Sequence, residues 1–213
     1  MALSKVNFNS INVTPAASKA IKFNSSNNGL ETGDIGGSLV LLSTQTASSS
    51  ANISFTSGID STYKEYQVHF IDVHPATDNA EFTVNFRDGG SDFDATKTTT
   101  YFRSFQNEGG SDTGVAYNTS QDLAQGTGAA VLAEDIGNGN DESVSGVFHL
   151  FDPSSTTFVK HFISRAQSYN GSNYSVDCYV GGYANVTAAV DGVQFAFSSG
   201  NIDAGTFKLY GVK

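Results

Sequence analysis

The chain has 213 residues, a formal net charge of −10 at pH 7, and only 15% charged residues. This acidic balance disfavours binding to nucleic acid, because phosphate contacts require clustered lysine and arginine side chains. No stretch approaches the roughly 18 consecutive apolar residues of a membrane-spanning helix, so a membrane is not an expected partner either.

The first 36 residues are polar and irregular, and they predict an extended N-terminal arm. Three lysines, Lys5, Lys19 and Lys22, stand in residues 1–30 without a single acidic residue, whereas the remainder of the chain is strongly acidic. A cationic arm of this kind can dock on an acidic neighbour, although a solvated tail is an equally good interpretation of the same charges.

After the arm, short segments with alternating or continuous apolar residues predict about ten strands. These segments are 38–47, 51–60, 64–73, 81–87, 98–105, 144–151, 156–164, 174–183, 192–199 and 205–212. The weaker patch 108–135 predicts a long loop or a short helix around the letters SQDLAQ. Strands at this spacing, without crossover helices, predict an all-β fold: one antiparallel, jelly-roll-like β-sandwich over residues 37–213.

A phrase of the form F-S/T-S-G-(N)-I-D occurs at 55–60 and again at 197–203. Its phenylalanines stand at inward-facing strand positions and should be buried. Gly58 and Gly200 supply the positive φ of a tight turn. Asp60 and Asp203 are expected to accept backbone N–H groups in the same turns. The phrase therefore predicts two strand–turn joints, the second of which closes the sheet.

Candidate metal and cofactor sites are weak. The acidic loops around 88–94 and 134–142 have oxygen ligands of the kind that Ca²⁺ prefers, but neither has EF-hand spacing. An ordinary acidic loop is the preferred interpretation of both, and no cofactor is expected. The single cysteine, Cys178, excludes an intrachain disulfide and is in phase with apolar neighbours, which predicts a core position.

The sequence does not favour an enzyme. It has no G-x-S-x-G nucleophile motif, and it lacks tryptophan, the side chain on which sugars most often stack. A glycoside-cleaving site would need two carboxylates that converge in a groove. Tyrosines could replace tryptophan in binding a sugar, and the candidates are Tyr63, Tyr66, Tyr101, Tyr117, Tyr169 and Tyr174.

Three long stretches of residues 38–213 resemble small β-rich virion proteins of tailed bacteriophages, particularly marine ones. They are LLSTQTASSSANISFTSGIDSTYKEYQVHFIDVHPATDNAEFTV, LFDPSSTTFVKHFISRAQSY and the closing VQFAFSSGNIDAGTFKLYGVK. The shared residues are structural ones of strands and turns. The resemblance implies a capsid decoration or head-fibre protein, or a tail-fibre module.

The first hypothesis is a structural protein that decorates or cements the capsid through its arm, made in the host cytoplasm and displayed on the virion surface. The opening letters MALSKVNFNS lack the apolar run of a secretory signal, in agreement with a cytoplasmic origin. The partners would be the major capsid protein or other virion proteins. The contact residues would be Lys5, Phe8, Ile11, Val13, Lys19, Ile21, Lys22 and Phe23.

The alternative is a tail-fibre or receptor-binding module, a homo-oligomer such as a trimer, that recognises host surface glycans. In that case binding is expected at loop tips rich in aspartate, asparagine, glycine and tyrosine. These loops are 88–95, 107–120, 134–142 and 168–173.

Overall fold

The computed structural model describes residues 19–26, 28–34 and 37–213, and it divides the chain into two compact units, 1–38 and 39–213. In the first unit, two strands, β1 (Lys19–Phe23) and β2 (Leu30–Asp34), form an antiparallel hairpin. The division lies close to the boundary after residue 36 that the sequence predicted.

The second unit is an all-β sandwich of two antiparallel sheets, as the strand pattern predicted. The large sheet has eight strands in the spatial order β3-β14-β5-β10-β11-β12-β7-β8, and the small sheet has four in the order β4-β13-β6-β9. The large-sheet strands are β3 (Leu39–Ser50), β5 (Glu65–Pro75), β7 (Lys97–Asn107), β8 (Thr113–Tyr117), β10 (Ser143–Phe151), β11 (Lys160–Tyr169), β12 (Tyr174–Ala184) and β14 (Ile202–Val212). Those of the small sheet are β4 (Ile53–Phe55), β6 (Ala80–Arg87), β9 (Ala130–Ile136) and β13 (Gly192–Phe197).

The core lies between the sheets because alternate residues of each strand face inward. In β11, for example, Phe162 and Ala166 are buried whereas Ile163 and Arg165 point away from the core. Phenylalanine rings from both sheets meet at the centre: the Phe82 ring lies 5.0 Å from that of Phe70 and 5.8 Å from that of Phe195, between centroids. Tilted and stacked contacts of this kind add to the burial of apolar area.

Consecutive strands β3 to β6 alternate between the two sheets, which gives the sandwich its jelly-roll-like character. The last two strands then enter between earlier ones: β13 pairs with β4 and β6, and β14 pairs with β3 and β5. The C-terminal strand therefore lies inside the large sheet, with Phe207 and Leu209 fully buried.

The segment 108–135, predicted as a long loop or a short helix around SQDLAQ, has a short helical turn there and also two strands that were not predicted. It contains β8, a short 3-10 helix at Thr119–Gln121, and most of β9. β9 was missed because nearly all of its residues are buried, including Glu134, so that its letters AVLAEDI show no alternation. The strand predicted at 156–164 begins instead at Lys160, after a turn.

Candidate functional site

The hairpin β1–β2 has an apolar face exposed to solvent. Ile21 and Phe23 point to the same face of β1, and Leu30 lies opposite Phe23 on β2. Their exposed fractions are 46%, 71% and 40%. Because a two-stranded hairpin is marginally stable by itself in water, an apolar face left open in this way favours contact with another surface.

The charges of the hairpin are partly satisfied within it. The ammonium group of Lys22 lies 3.4 Å from a carboxylate oxygen of Glu31 on the paired strand. Lys19 begins β1 opposite Asp34. The other predicted contact residues, Lys5, Phe8, Ile11 and Val13, lie outside the described residues. In the described part of the arm, the apolar face is therefore the stronger candidate for attachment.

A second surface is the outer face of the large sheet, where a groove of about 460 Å³ crosses β7, β10, β11 and β12. Gly181 leaves a gap in the row of outward side chains, because it stands between Ile163 on β11 and Thr100 on β7. Val147 and His149 of β10 border the groove on one side and Phe102 of β7 on the other.

One wall of the groove is a stack of flat side chains. The rings of Phe102 and Tyr179 are nearly parallel, 3° apart in plane and 4.8 Å between centroids. The guanidinium of Arg165 lies 5.2 Å from the centre of the Tyr179 ring, and it donates two hydrogen bonds, of 3.1 and 2.7 Å, to Asp177. The Tyr179 hydroxyl also donates to Asp177, at 2.9 Å.

These contacts hold the wall in one conformation and balance its charge. The hydrogen bonds from Arg165 lower the pKa of the Asp177 carboxyl despite its partial burial. A paired carboxylate and guanidinium leave this wall without net charge, and stacking fixes the rings.

The opposite side of the same face carries a chain of polar contacts across β10, β5 and β14. Nδ1 of His149 lies 2.8 Å from Oε1 of Glu65, and Gln67 donates to the same oxygen at 3.0 Å. The His69 ring lies 3.3 Å from the Gln67 amide oxygen and 4.8 Å from the Tyr210 ring. Partial burial raises the pKa of Glu65, but the Gln67 and His149 hydrogen bonds outweigh it and the pKa is lowered.

The carboxylates beside the groove are not arranged as a catalytic pair. Glu65 on β5 and Asp177 on β12 are separated by β10 and β11, which is already about 14 Å across the strands at ordinary strand spacing, and the register offsets them further along the strands. Glycoside cleavage uses carboxyl groups separated by about 5 to 9.5 Å.

The repeated phrase forms strand ends, with the phenylalanines Phe55 and Phe197 buried. Gly58 and Gly200 have φ angles of 83° and 71°, in the left-handed region. Asp60 accepts the Thr62 N–H at 2.8 Å and the Tyr66 hydroxyl at 3.0 Å, and the Thr62 bonds hold its pKa below the usual value.

Asp203 corrects the sequence prediction of a second turn acceptor. It lies within β14, and its carboxylate is 3.9 Å from Nδ1 of His74. The second copy of the phrase has one more residue between its glycine and its aspartate, so the aspartate falls past the turn and into the strand.

Several residues that the sequence suggested as ligand-binding candidates are buried in the structure. Tyr66 and Tyr101 are buried and cannot stack on a ligand, and the Tyr101 hydroxyl donates to the Cys178 sulfur at 2.9 Å. Burial raises the pKa of Cys178 to about 11. Glu134, in one of the proposed Ca²⁺ loops, is buried and paired with Arg103. Among the described residues, no group of acidic, histidine or cysteine side chains is placed to hold a metal ion.

The groove residues Phe102, Tyr179, Arg165 and Gly181 were not predicted from the sequence. Strand alternation alone would have placed Phe102 opposite to Tyr101, on the outward face. However, only the order of strands shows that Phe102, Tyr179 and Arg165 are neighbours, since they come from three different strands.

Comparison with protein-family models, with curated proteins and with solved structures finds no match for this chain. Within the described residues, no helix is long and apolar enough to cross a membrane.

Proposed function

We propose that this chain is a non-enzymatic structural protein of a tailed-bacteriophage virion, attached to the capsid surface by its N-terminal arm. The open apolar face of the hairpin β1–β2 is the observation that carries this proposal. Ile21 and Phe23 are already held in strand conformation by the hairpin, so binding costs them little conformational entropy. A partner that covers them buries apolar area, which stabilises the complex.

The distribution of charge supports the same arrangement. Residues 1–36 contain three basic and two acidic side chains, whereas residues 37–213 contain eight basic and nineteen acidic ones. An acidic sandwich favours solubility of the chain, while a nearly neutral arm can approach a protein surface without strong repulsion.

Co-sedimentation with capsids of the virus that encodes the chain tests this function. Phe23→Asp should abolish binding, because it places a charge at the centre of the apolar face. The matched control is Phe158→Asp in the turn before β11, since Phe158 is 70% exposed and Phe23 is 71% exposed. Capsid binding by the Phe23→Asp variant equal to that of the control would rule out attachment through this face.

A second candidate function, recognition of host glycans, is favoured by the groove on the outer face of the large sheet. The groove combines apolar side chains, Phe102 and Ile163, with the paired polar groups of Arg165 and Asp177. A sugar ring has an apolar face and polar edges, and a site without net charge suits a neutral sugar better than an acidic one. We therefore propose the sheet face for glycan binding, instead of the loop tips that the sequence suggested.

An array of neutral glycans tests the second function. Wild-type protein should bind at least one of them, and Gly181→Val should remove that binding by filling the gap between Ile163 and Thr100. Gly181 tolerates a side chain, because an added Cβ would meet only the Thr100 hydroxyl oxygen, at 3.7 Å. Absence of binding by the wild type, or binding by Gly181→Val at wild-type strength, would exclude a glycan site in the groove.

A further inference from the structure

The two sheets of the sandwich end in four edge strands, and three of these are protected against pairing with another chain. In the small sheet, β4 has only three residues, and β9 is irregularly paired and carries the exposed charge of Asp135. In the large sheet, β8 has five residues. Short, irregular or charged edges are the usual means by which β proteins avoid joining edge to edge.

The fourth edge strand, β3, has none of these protections over most of its length. It runs for 12 residues, LVLLSTQTASSS, without a charged residue or a proline. It pairs with β14 on one side, and within the described residues no strand pairs with its other side. As far as the described residues show, the N–H and C=O groups on that side are open to an additional strand up to Ala47, whereas Ser48 and Ser49 make local hydrogen bonds.

The side chains of β3 also suit a protein partner. Leu41, close to the β-bulge, is 54% exposed, and Leu39 is also exposed on the same face. The middle of the strand carries Thr44 and Thr46, two exposed β-branched residues that favour strand pairing. This edge has threonines at its centre and leucines at one end. An added strand could therefore form backbone hydrogen bonds with it and at the same time cover the exposed leucines.

We infer that β3 pairs with β3 of a second copy of this chain about a two-fold axis. The chain has a net charge of −10, so two copies repel each other over most of their surfaces. Along the uncharged length of β3, two such copies can approach without placing like charges directly opposite each other. Because the strand is identical in both copies, the contact is closed and self-complementary.

The geometry of this dimer follows from the symmetry. A two-fold axis perpendicular to the sheet runs the two β3 strands antiparallel, and the outer face of one large sheet then continues into that of its partner. The groove of each copy opens on this shared face. The dimer does not depend on the capsid or glycan functions, but it would carry two grooves on one continuous sheet, several strands apart, and so increase avidity for a surface with repeated ligands.

Sedimentation velocity of the full chain, from low to high micromolar concentration, tests the dimer. Wild-type protein should shift to twice the chain mass as concentration rises. The double substitution Thr44→Glu and Thr46→Glu should weaken dimerisation by roughly tenfold or more, because like charges then meet at the two-fold axis. The monomer should stay folded, since both side chains are exposed and Thr44 lies opposite Lys208 on β14.

The matched control places the same two charges on the other edge of the same sheet, as Thr113→Glu and Val115→Glu in β8. This control should dimerise as the wild type does, and so should Phe23→Asp, which tests the arm separately. A wild-type chain that stays monomeric at high micromolar concentration would overturn the inference. Equal dimerisation by the β3 and β8 double variants would overturn it as well.

Discussion

Two fully buried lysines, Lys97 and Lys160, occupy inward positions on strands that the sequence marks as core strands. They flank Ala184 in the register of β11, β12 and β7. The Lys97 ammonium group donates to the carbonyl of Gly128 at 2.7 Å, and that of Lys160 donates to the carbonyl of Val186 at 2.9 Å. Each lysine thus ties a loop to the large sheet, at the cost of burying a charge.

The burial of Lys97 predicts a pH dependence of stability. Burial lowers its pKa to about 8, while the unfolded chain titrates near the ordinary value of 10.5. Between these values the unfolded state binds more protons, so the free energy of unfolding should rise with pH. Relative to Lys97→Met, the wild type should gain about 3 kcal/mol between pH 8 and 10.5, measured by urea unfolding. Parallel pH profiles for the two proteins would contradict this.

Substitution of Gly200 by alanine should destabilise the fold more than the same substitution at Gly58. Its φ is 71°, and an added Cβ would lie 2.2 Å from the Thr77 hydroxyl oxygen. Gly58 has a φ of 83°, but the nearest atom to an added Cβ there would be a methyl carbon of Leu209, at 3.7 Å. Gly58→Ala should therefore cost about 1 kcal/mol from backbone strain, and Gly200→Ala about 2 kcal/mol or more. Equal losses in chemical denaturation would show that the Thr77 contact is relieved without cost.

At the scale of a single strand, the adjacent glycines of β12 have opposite roles. Gly181 faces outward into the groove, while Gly182 faces the core, where an added Cβ would lie 2.6 Å from the Phe162 ring and 2.7 Å from the Thr98 carbonyl oxygen. Gly182→Val should lower the free energy of unfolding by about 2 kcal/mol or more through overpacking.

Gly181→Val should leave the stability nearly unchanged or raise it slightly, because valine favours strands and has room at this position. Thermal unfolding of the two variants measures this difference. Similar destabilisation by both would mean that the groove floor is as tightly packed as the core, and it would remove Gly181→Val as a test of binding alone.

At the scale of the whole molecule, the last strand completes the large sheet. β14 contacts β3 on one side and β5 on the other, so the sheet is divided until residues 202–212 are in place. A chain that lacks 202–213 should lose cooperative thermal unfolding and bind an apolar dye, because the small-sheet rings of Phe82 and Phe195 that pack on Phe207 are then uncovered. Removal of Lys213 alone is the control and should change neither signal. A cooperative transition in the truncated chain would show that β3 and β5 close on each other.

The sequence by itself determined the fold class, ten of the twelve sandwich strands in outline, and the turns at Gly58 and Gly200. These features depend on local properties: the two-residue alternation of strands and the need for positive φ at particular positions. β8 and β9 were missed for local reasons too, since β8 has only five residues, mostly exposed, and β9 is buried on nearly every residue.

Only the tertiary structure decided the order of strands, and with it both proposed binding surfaces of the sandwich. The groove joins Phe102, Tyr179 and Ile163 from β7, β12 and β11, and the free edge exists because β14 pairs with only one side of β3. Strand pairing joins residues far apart in the chain, and a strand's own letters do not specify which neighbour it will have. For this reason the sequence identified the strands, and the fold determined which of their side chains form a site.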